Sequence, residues 1–248
     1  MVAASSVASG QPIGIHRAMR LLLLLCGLIG MARAAPTPGV PGIAAPGLVE
    51  ALKHFRTDAP HGWSFIQTTT AEGKSTVERC DAAKPEFDRW SLVQKNGRAP
   101  TTEETKDYAE ARSRRSRGGT APKLIEQLNL ATLEVVAETA ERTTYRCGLR
   151  PGDPGDTVAG FLRATIVLHK PTRCIESLEL GSTGGFSPTF GVKIAEMNTV
   201  MTYHLPAGDR PSLPQKVSTR VRGRAFLFKS LDADMAVTFS DYAWAGKK

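Results

Sequence analysis

Apolar residues recur along this chain in two periods, and the change from one to the other organises it. Leu48, Val49, Leu52 and Phe55 fall at three- and four-residue steps, which puts them on one stripe and predicts a short amphipathic helix over residues 48–56. From Gly62 onward the period is two. Residues 63–69, 74–80 and 89–94 read as strands, and Asn96-Gly97 is a strong turn signal. After Pro100, the stretch Thr101-Thr102-Glu103-Glu104 forms a capping box. The Thr101 hydroxyl accepts from the Glu104 amide, and the Glu104 carboxylate reaches back to the Thr101 amide. This launches a helix to about residue 116. Arg112, Arg114, Arg115 and Arg117 precede Gly118-Gly119 at its end, so cations meet the negative end of the helix dipole and glycines stop the helix.

A second short helix is expected over residues 123–130. Beyond it, segments 132–139, 142–149, 160–169, 173–181, 190–205, 215–229 and 234–244 read as strands separated by Gly, Pro and Asp clusters, which implies an antiparallel meander. Within 190–205 the apolar positions are first Phe190, Val192 and Ile194, then Met197, Met201, Tyr203 and Leu205. The parity flips near Ala195, so a β-bulge is predicted there. In 215–229, Val217, Thr219, Val221, Ala225 and Leu227 face one way, while Lys216, Ser218, Arg220, Arg222 and Arg224 face the other. One face is apolar and the other basic, as in a half-solvated antiparallel sheet. The expected fold is mainly β (α+β): a strongly curved antiparallel sheet or incomplete barrel of about ten strands with two to three helices.

The N-terminal segment changes the picture of where the chain works. Arg17 and Arg20 precede an apolar run from Leu21 to Ile29, and Ala32-Arg33-Ala34 supplies small residues for a signal peptidase. This is the layout of a secretory signal peptide over residues 1–34, cut after Ala34. The run is short of the ~20 apolar residues that span a bilayer as a helix, so no integral membrane span is expected after processing. Met19 is a second candidate start. Cys26 could be a lipidated cysteine, but Leu25 stands where a lipoprotein signal has a small residue, so an outer-membrane lipoprotein is the weaker reading. Residues 35–47 are a Pro/Gly linker, and residues 48–248 a single β-rich periplasmic domain. The net charge is +8 and becomes +5 once the leader, with three arginines and no acids, is removed.

Recognisable catalytic chemistry is absent. The sequence has no G-x-S-x-G elbow, H-E-x-x-H helix, P-loop or G-x-G-x-x-G fingerprint. His54, His61, His169 and His204 have no companion ligands at metal-binding spacing, and neither do Cys80, Cys147 and Cys174. The histidines are read as surface or turn residues, and no catalytic residue, metal or cofactor is assigned. The cysteines are buried thiols with at most one bridge; if one forms, Cys147 with Cys174 is expected, since both lie on strand segments close in sequence. The capping box accounts for Glu104, and dipole complementarity for Glu103 beside it. The arginine cluster lacks the interleaved aromatics that stack bases, so it is a solvated helix end and no nucleic acid partner is expected; anionic lipid or an acidic partner is its secondary use. Residues 181–188 read as a polar hairpin loop.

Aromatics and methionines are spread over successive strands. An ordinary sheet core explains them as well as a cavity that accepts a lipid or acyl chain, lined by Trp63, Phe65, Phe190, Met197, Met201 and Tyr203. The element order of signal peptide, helix, hairpin strands, helical insertion and long meander resembles the periplasmic lipoprotein-carrier fold group that contains LolA, LolB and RseB. The stretches Arg89-Trp90-Ser91-Leu92, Asn96-Gly97-Arg98-Ala99-Pro100-Thr101 and Phe190-Gly191-Val192-Lys193-Ile194 are also similar to segments of uncharacterised secreted proteobacterial proteins. The resemblance implies an incomplete barrel closed over helices, holding acyl chains without catalytic residues. The leading expectation is a non-enzymatic periplasmic carrier or sensor for a lipid or lipidated partner. The alternative is an envelope interaction module that docks an acidic protein through Arg220, Arg222 and Arg224.

Overall fold

The computed structural model describes residues 46–57, 60–115, 123–152, 156, 158–226 and 229–246, without the side chains of Pro46, Arg114 and Arg115. The signal segment with Cys26 and Ala34, the linker up to residue 45, Arg117-Gly118-Gly119, and Leu227 lie outside the described residues. The helices are α1 (Pro46–His54), α2 (Thr102–Arg115) and α3 (Leu124–Gln127). The strands are β1 (Trp63–Ala71), β2 (Lys74–Cys80), β3 (Trp90–Lys95), β4 (Leu128–Glu138), β5 (Arg142–Leu149), β6 (Leu162–His169), β7 (Cys174–Ser182), β8 (Phe186–Thr189), β9 (Val192–His204), β10 (Leu213–Ala225), β11 (Lys229–Ser230) and β12 (Ala233–Trp244).

All twelve strands join one antiparallel sheet whose main path is β3-β2-β1-β12-β10-β9-β7-β6-β5-β4, with β8 beside β9 and β11 beside β10. The path is open, with β3 and β4 as its edges, so the mainly β expectation holds as a curved sheet and not as a closed barrel. The last strand returns to the first: β12 lies between β10 and β1, with Thr69 opposite Val237.

Local chemistry sets the corners. Asn96 and Gly97 both have positive φ, of 51° and 77°, as do Glu72 and Gly73 at 52° and 73°, which suits two-residue turns that match strand twist. The Thr101 hydroxyl accepts from the Glu104 amide at 3.2 Å, and Glu104 accepts from the Thr101 amide at 2.9 Å, so the capping box forms as read. The predicted bulge also stands. Glu196 pairs with Arg222 and Ile194 with Gly223, leaving Ala195 without a partner across β10. Gly223 is required there, because a Cβ would lie 2.6 Å from the Lys193 carbonyl oxygen.

Two expected elements change. The helix predicted over 123–130 is the single turn of α3, because Leu128 already pairs with Leu149 and is fully buried. Extra residues in β4 then bulge between Asn129 and Glu134, and the Thr132 hydroxyl takes a place in the ladder by accepting from the Gly148 amide at 2.8 Å. The loop expected over 181–188 contains the start of β8, whose Phe186 is buried against Ile194 and Met197.

One sheet face carries the helices. Tyr145, Ile166, Leu178 and Met201 lie side by side across β5, β6, β7 and β9 on that face. Leu48 and Leu52 of α1, one turn apart, press into this core with 0% and 2% exposure. Each such buried leucine stabilises by about 1.5–3 kcal/mol, enough to hold a nine-residue helix that would not persist alone. On the opposite face the register carries Thr68, Thr238, Lys216, Thr202 and Ser177 in one polar row.

Cys147 and Cys174 do not form the expected bridge; both are free thiols, as is Cys80. Cys147 opposes Ala164 and Cys174 opposes His169, so the two flank β6 from opposite sides and sit five residues apart along it. That is ~17 Å along the strand, far beyond the ~7 Å a disulfide can span.

Candidate functional site

α1 covers β5, β6 and β7, while α2 covers the other end of the same face at β2 and β3. Between them runs a strip that begins at Met201, which packs against the core under α1. Met201 of β9 is opposite Val217 of β10, Val217 is opposite Val237 of β12, and Val237 is opposite Thr69 of β1. Met235 and Phe239 flank Val237 along β12 on the same face, and all five apolar side chains are half-buried. At four strands the strip is ~14 Å wide across the sheet.

The α2 side of the strip is bounded by a polar clasp. Glu78 of β2 is buried and accepts from the Tyr108 hydroxyl at 2.8 Å and from Gln67 Nε2 at 2.9 Å. Arg112 Nε donates to the Tyr108 oxygen at 3.2 Å, and Arg112 Nη2 is 3.7 Å from the Glu78 carboxylate. Burial and the neighbouring Glu78 charge push the Tyr108 phenol well above its usual range, so it stays a hydrogen-bond donor. Beside the clasp, Phe65 packs edge-on to Trp90 and Phe239, with ring centroids 5.5 Å and 5.8 Å away. Tyr242 donates its hydroxyl to the Pro214 carbonyl at 2.7 Å, and Trp63 packs on Tyr242 and Trp244.

The residues expected to line a cavity divide into separate places. Met201 borders the strip. Met197 is buried in the cluster with Leu162, Phe186 and Ile194, and Tyr203 is buried edge-on to Phe55 at 5.0 Å, so both are core side chains. Trp63 and Phe65 belong to the aromatic cluster at the end of β1. Phe190 is 94% exposed in the turn between β8 and β9, not on a sheet face, because β9 begins only at Val192. Val237, Met235 and Phe239 complete the strip instead. Their period of two along 233–244 was the available signal.

The basic stripe is partly neutralised. Asp234 accepts from Arg222 at 2.7 Å and from Arg220 at 3.3 Å, which holds its carboxyl below the usual carboxylate range. Arg224 remains exposed. Of the helix-end arginines, Arg112 is no solvated group: its guanidinium lies over the Trp90 ring. His54 pairs with Glu50 at 2.9 Å and His169 with the Thr172 hydroxyl at 2.8 Å, while burial and nearby Arg210 bias His204 toward its neutral form. Among the described residues no group of three or more His, Cys, Asp or Glu could hold a metal ion, and no helix is long and apolar enough to cross a membrane.

No protein-family model matches the chain, and no curated protein matches it. One solved structure is similar at 10% identity and a TM-score of 0.39, covering 81% of this chain and 92% of its own. It is a Vibrio parahaemolyticus domain provisionally named an outer membrane lipoprotein-sorting protein domain.

Proposed function

We propose that this chain is a non-enzymatic periplasmic carrier or sensor, which receives the apolar chain of a lipid or a lipidated partner on the strip between α1 and α2. The observation that supports this is the half-buried row Met201, Val217, Val237 on the helix-bearing face, with Met235 and Phe239 beside it. Apolar side chains left half-open between two covering helices bind a flexible apolar chain at little cost in polar desolvation, and two methionines adapt to variable chains. The ligand lies along the strip, because the deeper interior is filled by Met197, Tyr203 and the leucines of α1.

The test is lipid extraction and mass spectrometry of protein purified from the cell envelope, with a fluorescent long-chain fatty acid as the probe in solution. Val237→Asp and Met201→Asp should each lower probe binding at least tenfold while circular dichroism and the unfolding midpoint show a folded domain. An absence of extractable lipid, together with a wild type that binds the probe no better than the folded variants, rejects the reading.

A further inference from the structure

At the end of the sheet where β12 begins, far from Trp244, two turns present aromatic rings to solvent. Phe190, at the tip between β8 and β9, is 94% exposed, and Phe226, just past β10, is 60% exposed. The two tips are tied together: the Phe226 amide donates to the Gly191 carbonyl at 2.7 Å. A Cβ on Gly191 would lie 2.7 Å from the Phe226 ring, so only glycine lets that ring lie beside the Phe190 turn. Phe226 itself sits at φ 48°, a left-handed conformation that a bulky residue adopts only when its surroundings hold it there.

Behind the rings stand three exposed cations. Lys193 is opposite Arg224 and shares its face, while Lys229, opposite Ala225, stands on the other face at the same end of the sheet. Among the described residues none of the three is in an ion pair; of the acids nearby, Asp232 accepts from the Gly223 amide, Asp234 holds Arg220 and Arg222, and Glu196 lies opposite Arg222. By register Lys193 and Arg224 stand two residues behind Phe226 and Lys229 one residue behind it, which is ~3–7 Å by strand rise. Interfacial apolar groups sit ~5–10 Å deep at the headgroup and acyl boundary, so this offset sets the cations at headgroup level when the rings insert.

We infer that the Phe190 and Phe226 tips dock this protein on an anionic membrane surface, with Lys193, Arg224 and Lys229 on the lipid phosphates. A projecting pair of rings with cations set behind them suits a deformable planar surface of negative charge; an acidic protein would need a pocket to receive each ring. Burying exposed aromatic area and neutralising unpaired cations both act in the same direction.

The test is flotation of the purified chain with vesicles of phosphatidylcholine alone and of an equimolar phosphatidylcholine and phosphatidylglycerol mixture. Binding is expected to the anionic vesicles only, weakening as salt rises. Lys193→Gln and Lys229→Gln should each weaken it about fivefold. The double variant Phe190→Ser with Phe226→Ser should abolish it, and Phe190→Ser alone, which removes a side chain with no packing partners to lose, covers the case in which the double variant misfolds. Phe190→Trp should show a blue shift of fluorescence on adding anionic vesicles. Lys106→Gln, which removes an exposed cation of α2 away from the tips, should leave vesicle binding unchanged. No flotation with anionic vesicles, or flotation indifferent to Phe190→Ser and to lipid charge, overturns the inference.

Discussion

The guanidinium carbon of Arg112 lies 3.8 Å from the centre of the Trp90 ring, and this contact joins α2 to the edge strand β3. None of the described side chains of α2 is fully buried; those that turn toward the sheet are Glu104, Tyr108, Ala111 and Arg112, at the spacing of one helical stripe. The helix is therefore held by hydrogen bonds, charge and one ring contact instead of an apolar face. This is why its sequence looks like a solvated helix.

Arg112→Ala should lower stability by about 2 kcal/mol, through loss of the ring contact and of hydrogen bonding to the Tyr108 and Glu78 pair. Arg112→Lys should recover little, because an ammonium neither stacks as a plane nor donates in the same fork. Urea unfolding of both variants checks this. Trp90→Leu combined with Arg112→Ala should cost less than the sum of the two, since both remove one contact.

Glu104 collects two cations and an amide: it accepts from Arg98 at 2.8 Å, Lys95 at 3.0 Å and the Thr101 amide at 2.9 Å. The Arg98 guanidinium, then the Thr101 amide and Lys95, hold its carboxyl far below the usual carboxylate range. A lowered folded-state pKa means that the stabilisation is complete above the unfolded value of 4.5 and is lost as pH falls below it. Glu104→Gln should melt at a lower temperature than wild type at pH 7, with the gap narrowing as pH drops below about 4. A thermal scan across pH measures this, and a gap that widens in acid would contradict it.

Burial pushes the Cys147 thiol up to about 11 and raises that of Cys80, whereas Cys174 is half-buried with its thiol donating to the Thr172 carbonyl at 3.4 Å. Thiolate is the reactive form. Maleimide labelling of the native protein, mapped by peptide mass, should modify Cys174 first and leave Cys80 and Cys147 until denaturant is added. Rapid native labelling of Cys147 would show that the core over it opens.

Much of the framework was legible locally. The capping box of Thr101 and Glu104, the Asn96-Gly97 turn and the bulge at Ala195 each depend on residues a few positions apart, so their chemistry is complete within the segment that carries it. The helix over 123–130 failed for the opposite reason. Its apolar residues suit a helix, but Leu128 gains more by pairing with Leu149 and sinking into the core than by another turn. Cys147 and Cys174 are close in sequence, yet β6 separates them, and only the register shows that they face different ends of it.

The candidate site divides in the same way. Alternation in β10 and β12 assigned which side chains share a face, because a strand's period of two is intrinsic to its backbone. Which of those side chains remain half-open was decided by where α1 and α2 settle and by the return of β12 against β1, a pairing between residues more than a hundred positions apart. So the sequence by itself determined most of the elements, the capping box and turns at their corners, and the mainly β class, all properties of neighbouring residues. The tertiary structure alone decided that Met197 and Tyr203 are core, that Phe190 stands in solvent, and that Arg220 and Arg222 share Asp234, since burial and charge pairing depend on what the rest of the chain brings alongside.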